Sequence, residues 1–138
     1  MSSVELNAGE SGDPRGGVIP YLMVDGAVTA AAFYGKAFGA REVGRVPEDE
    51  KGRTMHVHLY INEGSVMLCD PYPEYGRPLE GHKGFTLTLT VDDVDFWWKR
   101  ASETEGMETT VPLEKMSWGD RYGELKDPFG VCWAIVGK

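Results

Sequence analysis

Cysteine, basic charge and long apolar runs are all scarce in this chain, and each shortage excludes a class of protein. Two cysteines, Cys69 and Cys132, among 138 residues make no disulfide framework. No charged-then-apolar export segment opens the chain, so both read as free thiols and the expected compartment is the cytoplasm. Fourteen Lys and Arg stand against 22 Asp and Glu, a net charge of −8. That balance lacks the basic patch that nucleic acid or an anionic membrane surface requires. No apolar stretch approaches the roughly 20 residues needed to cross a bilayer. Eighteen glycines are present, yet neither GxGxxG nor GxxxxGK[ST] occurs, so no phosphate-binding loop is expected.

What is present is enough apolar sequence for one folded domain, 41% of residues. Residues 1–16 (MSSVELNAGESGDPRG) are polar and read as a disordered tail. Val18 to Val24 (VIPYLMV) is a strand candidate. Asp25 offers a helix N-cap, and Ala30, Phe33, Tyr34, Ala37 and Phe38 fall on one helical face, stopped by Gly39. Arg41 to Val46 is a second strand. In Thr54 to Ile61 (TMHVHLYI), Met55, Val57, Leu59 and Ile61 point one way and His56, His58 and Tyr60 the other. Ser65 to Asp70 is a fourth strand. Residues 71–83 (PYPEYGRPLEGHK) have no periodicity and read as a linker.

Then the pattern starts again. Phe85 to Val91 (FTLTLTV) alternates with period two. Asp92 or Asp93 caps a helix with Val94, Trp97, Trp98 and Ala101 on its apolar face, and Gly106 is its expected stop. Met107 to Lys115 is a strand. WGDRYGELK and VCWAIV form a hairpin around Asp127-Pro128-Phe129-Gly130, where proline presets φ and glycine tolerates φ > 0. A shift of 67 residues takes Val24-Asp25 to Val91-Asp92, Gly39 to Gly106 and Leu68 to Ile135. The expected fold is therefore α+β: two paired βαβββ modules, residues 17–70 and 84–138, forming one curved mixed sheet with helices on its convex face.

Four stretches carry a family resemblance: IPYLMVDGA..AAAFYGKAFGA, MHVHLYINEGSVMLCD, LTVDDVDFWW and WGDRYGELKDPFG..WAI. Together they resemble the vicinal oxygen chelate superfamily, which includes glyoxalase I, extradiol dioxygenases and the fosfomycin- and bleomycin-resistance proteins. Within it they look like the PhnB-like branch. The resemblance implies the same paired modules and, in metal-dependent members, four ligands on the concave face. The corresponding positions here hold Ile19, Met67, Thr86 and Ala134. These are not a donor set for Zn, Fe or Mn, so no cofactor is expected.

His56 and His58 lie two apart on a strand and project from one face. They can serve as two ligands of a metal completed by a group such as Glu124, as acid and base, or as a polar wall with no ligand. Cys69 and Cys132 turn inward by alternation with Leu68 and Trp133. With no base or cation identifiable beside either, both read as packing residues. Trp97 and Trp98 read as core or dimer contacts, and Asp120 with Arg121 as an ion pair or polar anchor. By strand alternation the ligand-binding face should include Ile19, Tyr21, His56, His58, Tyr60, Met67, Thr86, Thr88 and Ala134, with Trp118 near its mouth. The reading is a homodimeric, metal-independent binder of a small organic molecule. The alternatives are a metal-dependent lyase, isomerase or oxygenase using His56 and His58, and an interaction domain with a vestigial pocket.

Overall fold

Helix and strand alternate in the same order in both halves of the chain. The computed structural model describes residues 12–138. The first half contains β1 (Tyr21–Met23), α1 (Ala27–Phe38), β2 (Arg41–Arg45), β3 (Val57–Ile61) and β4 (Gly64–Cys69). The second contains β5 (Leu87–Thr90), α2 (Val94–Glu103), β6 (Glu108–Lys115), β7 (Arg121–Lys126) and β8 (Cys132–Gly137). The sheet orders are β1-β4-β3-β2 and β5-β8-β7-β6. Each pairs its first and last strands parallel and its remaining strands antiparallel. The fold is thus α+β, but the expected single sheet is hydrogen-bonded as two four-stranded sheets, because the backbone ladders end at β1 and β2 in one and at β5 and β6 in the other.

The repeat holds to the single residue. Tyr21 pairs with Met67 and, 67 residues on, Thr88 pairs with Ala134. Val24 N–H donates to Cys69 O at 2.9 Å, and Val91 N–H donates to Val136 O at the same distance. Two compact units result, one holding residues up to Leu79 and the other Glu80 to Lys138, with the last turn of α1, Lys36–Phe38, grouped in the second. The division falls inside the expected linker, which carries a short 3-10 turn at Pro73–Tyr75 and a bridge between Tyr72 and Arg77.

In the first unit Leu22, Val57, Leu59, Ile61, Val66 and Leu68 are buried on one face of the sheet, and α1 buries Ala27, Ala30, Ala31 and Tyr34. Phe33, expected on that apolar stripe, is only half-buried. In the second unit Leu89, Leu125, Trp133 and Ile135 are buried with Val94 and Ala101 of α2, which packs on β6, β7 and β8. Trp98 packs against Gly123, where an added Cβ would stand 2.5 Å from its ring, so it is a packing residue of its own sheet.

The start of α1 differs from the expectation, while α2 is capped by Asp93, one of the two aspartates expected there. Gly26, not Asp25, is the N-cap of α1, in the left-handed region with no side-chain cap. The carboxylate comes from the end of β4: Asp70 Oδ1 accepts from Gly26 N–H at 2.8 Å and Ala27 N–H at 3.0 Å. Its Oδ2 accepts from Thr54 N–H at 2.8 Å. In α2 the cap is local, Asp93 accepting from Phe96 N–H at 3.1 Å. The shift of 67 maps Gly26 onto Asp93 and Asp70 onto Gly137, so the two modules cap their helices differently: Asp70 takes the first two amides of α1 from a distant strand end, and Asp93 takes an amide three residues on in its own helix. Nor does Gly106 stop α2: Thr104 is its C-cap, with its hydroxyl donating to Arg100 O at 2.8 Å.

The turn chemistry is specific. Asn62 and Glu63 both have positive φ, 49° and 70°, the backbone of a type I′ hairpin turn that matches strand twist. At the second hairpin Asp127 Oδ1 accepts from Phe129 and Val131 N–H, and Gly130 sits at φ 90°. Arg121 pairs with Asp95 at 2.8 Å rather than with its neighbour Asp120, which lies 3.5 Å from Lys138.

Candidate functional site

The Cα register assembles the first unit's candidate face. Tyr21 lies beside Met67, which lies beside His58. One pleat along, Ser65 lies beside Tyr60, which lies beside Arg41. Side chains at these positions share one side of the sheet. Tyr21 hydroxyl is 2.8 Å from His56 Nδ1 and 3.0 Å from Met55 O. A phenol has one proton, so when it donates to Met55 O it accepts from the imidazole N–H. Burial pushes the Tyr21 phenol up to about 12, with the Cys69 sulfur adding to the rise and Arg77 opposing it. His58 Nε2 is 2.7 Å from Ser65 Oγ. Burial holds both imidazoles below the usual histidine value, and at His58 the neighbouring His56 and Arg15 charges push the same way. At neutral pH the strip Tyr21, His56 and His58 is therefore uncharged.

The end of this strip is covered by residues assigned to a tail. Residues 1–11 of that tail lie outside the described residues. The rest of it is held to the sheet: Gly12 N–H donates to Val43 O at 3.0 Å and Tyr60 hydroxyl donates to Asp13 O at 2.8 Å. Arg15 N–H donates to Ser65 Oγ at 2.8 Å and Ser65 N–H to Arg15 O at 3.1 Å. The Arg15 guanidinium stands 3.6 Å over the Tyr60 ring, within cation–π range. His58 and Tyr60 are thus buried, not open to solvent.

This arm also explains why Ile19 is not opposite Met67. Met67 N–H bonds Pro20 O, while Ser65 N–H bonds Arg15 O. The intervening residues 16–19 leave the ladder in a loop with Gly16 at φ 107° and Val18 92% exposed. Ile19 therefore precedes β1, and Tyr21 takes the place beside Met67. In the second unit, by the same register, Thr88 takes the place beside Ala134 and Thr86 precedes β5. Thr86 and Thr88 are exposed and Ala134 is fully buried. Trp118 is 63% exposed in the turn between β6 and β7. Glu124, opposite Ala134, accepts from the Tyr122 hydroxyl at 2.9 Å.

Sequence reasoning missed Arg15, Ser65 and Arg77. Ser65 was findable, being in step with Met67 on an alternating strand. Arg15 sits in a Gly-rich polar run with no periodic signal, and Arg77 in an aperiodic loop. Arg77 supplies the cationic neighbour of Cys69 that the sequence did not reveal. Burial nevertheless raises the Cys69 thiol above its usual value, outweighing that guanidinium, so it stays protonated. Both cysteines are free.

The fit of a metal is poor. Among the described residues no three His, Cys, Asp or Glu side chains converge. The register pairs Tyr21–Met67 and Thr88–Ala134 offer one phenol, one thioether and one hydroxyl, not the imidazoles and carboxylates a divalent ion selects. One ring nitrogen each of His56 and His58 is already in a hydrogen bond. A surface hollow of about 380 Å³ at the start of α2 is lined by Asp92, Asp93, Val94, Asp95, Arg121 and Lys138. It contains the Arg121–Asp95 pair and none of the expected site residues. No helix of the described residues is long and apolar enough to cross a membrane.

Residues 19–135 match the model of the Glyoxalase/Bleomycin resistance protein/Dioxygenase superfamily, and the chain belongs to that superfamily. An uncharacterized protein of Mycobacterium bovis is 43% identical over 122 residues, covering 84% of this chain and 79% of the relative. Among solved structures, protein PA1353 from Pseudomonas aeruginosa has a TM-score of 0.73 at 28% identity, covering 88% of this chain and 96% of that one. A PhnB protein from Bacillus cereus has a TM-score of 0.68 at 19% identity over 89% of this chain and all of that one, a likeness of fold alone.

A pH dependence follows from the two depressed imidazoles. As pH falls through about 6.5 the unfolded chain takes up protons that folded His56 and His58 resist, so the unfolded state gains. Stability should be level above that value and fall below it. Asp49, Glu74 and Asp95 have depressed carboxyls, whose stabilisation is lost only in the more acidic carboxylate range. Urea denaturation at pH 5 and 7.5 should show the loss, and His58→Gln should shrink it. An undiminished loss in both His56→Gln and His58→Gln would assign it to other groups.

Proposed function

We propose that this chain is a small-molecule-binding protein that works without a metal, as a cytoplasmic homodimer. Its ligand is seated against the Tyr21, His56 and Met67 part of the first sheet's face. The observation that carries this reading is the hydrogen-bonded geometry of that face, with Tyr21 hydroxyl 2.8 Å from His56 Nδ1 and His58 Nε2 2.7 Å from Ser65 Oγ. The Tyr21 phenol, raised by burial, is hydrogen-bonded to His56 and to the Met55 carbonyl, and His58 is hydrogen-bonded to Ser65, with both imidazoles lowered by burial. Neutral donors and acceptors beside aromatic and thioether surface orient an organic molecule. They include no activated nucleophile, since the nearest thiol is held protonated.

Elemental analysis of protein purified without a metal-affinity tag should find no stoichiometric transition metal. A metal present at one per chain and lost on His56→Ala would instead establish the metal-dependent lyase or oxygenase reading. In an NMR screen of small aromatic compounds, the amides of Tyr21, His58 and Met67 should shift. No shift with any compound would leave the interaction-domain reading.

A further inference from the structure

Arginine pairing divides this molecule unevenly. Three of its seven arginines are held by carboxylates: Arg45 by Glu42 at 2.7 Å, Arg53 by Asp49 and Glu74 at 3.0 and 2.7 Å, and Arg121 by Asp95 at 2.8 Å. Arg100 stacks on Trp97 and Phe96 instead. The other three, Arg15, Arg41 and Arg77, have no ion-pair partner among the described residues, and all three flank the candidate face. Arg15 and Arg41 lie 3.6 and 5.2 Å from the Tyr60 ring centroid, at one end of the strip. Arg77 reaches the thiol of Cys69 at the other end, where Cys69 pairs with Met23 of β1. All three residues are exposed.

That placement runs against the chain's composition. With 22 acidic residues to 14 basic ones, carboxylates are in excess. Yet the sheet positions around these guanidiniums hold Tyr, His, Ser, Met and Cys. Between the two ends the groups are neutral, and among the described residues no carboxylate forms an ion pair with these arginines; a planar guanidinium pairs well with carboxylate or phosphate oxygens.

We infer that the first sheet's face recognises an organic anion, its aromatic or apolar body against Tyr21, His56 and Met67 and its carboxylate or phosphate on the flanking arginines. This rests on the small-molecule-binding reading and adds the ligand's charge. Arg15 also joins two roles: its backbone secures Ser65 and its side chain supplies charge, so the arm is part of the site.

The probes are 2-naphthoate, 2-naphthyl phosphate, 2-naphthylmethanol and 2-naphthylmethylammonium, titrated into the isotopically labelled full chain at low salt, with the amides of Tyr21, His58, Ser65 and Met67 observed by NMR. At least one anion should shift these amides and bind about five-fold or more tightly than the alcohol, with the ammonium weakest. Added salt should narrow that margin. Whichever anion binds more tightly identifies the charged group as carboxylate or phosphate. Arg15→Gln, Arg41→Gln and Arg77→Gln should each reduce the margin, while Arg45→Gln, whose charge is already paired, should not. Equal binding of anions and alcohol, or a margin unchanged in all three flanking variants, would overturn the anion assignment and leave the small-molecule reading standing. No shift at these amides with any of the four probes would overturn both.

Discussion

Asp70→Ala should be among the most damaging single substitutions in the first unit, with an expected loss of about 3 to 5 kcal/mol. Asp70 is buried and serves three backbone N–H groups, two at the start of α1 and one at Thr54. Removing the carboxylate orphans all three at once, and a buried donor without an acceptor costs about 1 to 3 kcal/mol. Asp70→Asn should be milder. Its oxygen can still accept from Gly26 and Ala27, but its amide then faces the Thr54 N–H, donor to donor. Asp93→Ala in the second module removes an exposed local cap worth about 1 kcal/mol. Chemical denaturation of the three variants should rank them Asp70→Ala, Asp70→Asn, Asp93→Ala. Equal losses for Asp70→Ala and Asp93→Ala would mean that the strand-borne cap has no special standing.

Trp133→Ala should cost about 4 kcal/mol or more in the second unit. Trp133 is the largest fully buried side chain, and its ring lies 4.6 Å from that of Phe38. Its indole N–H donates to Asp127 Oδ2 at 2.9 Å, the carboxylate whose other oxygen organises the β7–β8 turn. Truncation therefore opens a cavity and strips one partner from the turn-forming aspartate. Trp133→Phe separates the two effects, since it keeps most of the ring and loses only the hydrogen bond, an expected loss of about 1 to 2 kcal/mol. Denaturation followed by far-UV circular dichroism measures both without relying on the substituted fluorophore. A Phe variant as damaged as the Ala variant would mean that the hydrogen bond, not the packing, carries the effect.

The repeat was legible because it is written in periodicity. Strand alternation, helical stripes and turn residues are local properties, and a shift of 67 residues keeps them in register without any knowledge of contacts. The same locality made the helix face and the Asp127-Pro128-Phe129-Gly130 turn readable. Met67 and Ala134 lie on the strands expected for them, β4 and β8, for the same reason.

Ile19 and Thr86 fell outside the ladder because loop length before a strand is not a periodic signal. Only the hydrogen bonds of Ser65 and Met67 to Arg15 and Pro20 reveal that residues 16–19 bulge out and that Tyr21 is the strand's facing residue. The cap at Asp70 lay beyond sequence reach for a related reason: its amides are 43 and 44 residues away, and no local pattern links a strand end to a distant helix start. Sequence by itself determined the α+β modules and their repeat, both of which depend on residue type at a spacing. Which charges stand beside the neutral histidine face was decided only by the tertiary structure, because an aperiodic arm and an aperiodic loop bring Arg15 and Arg77 to it.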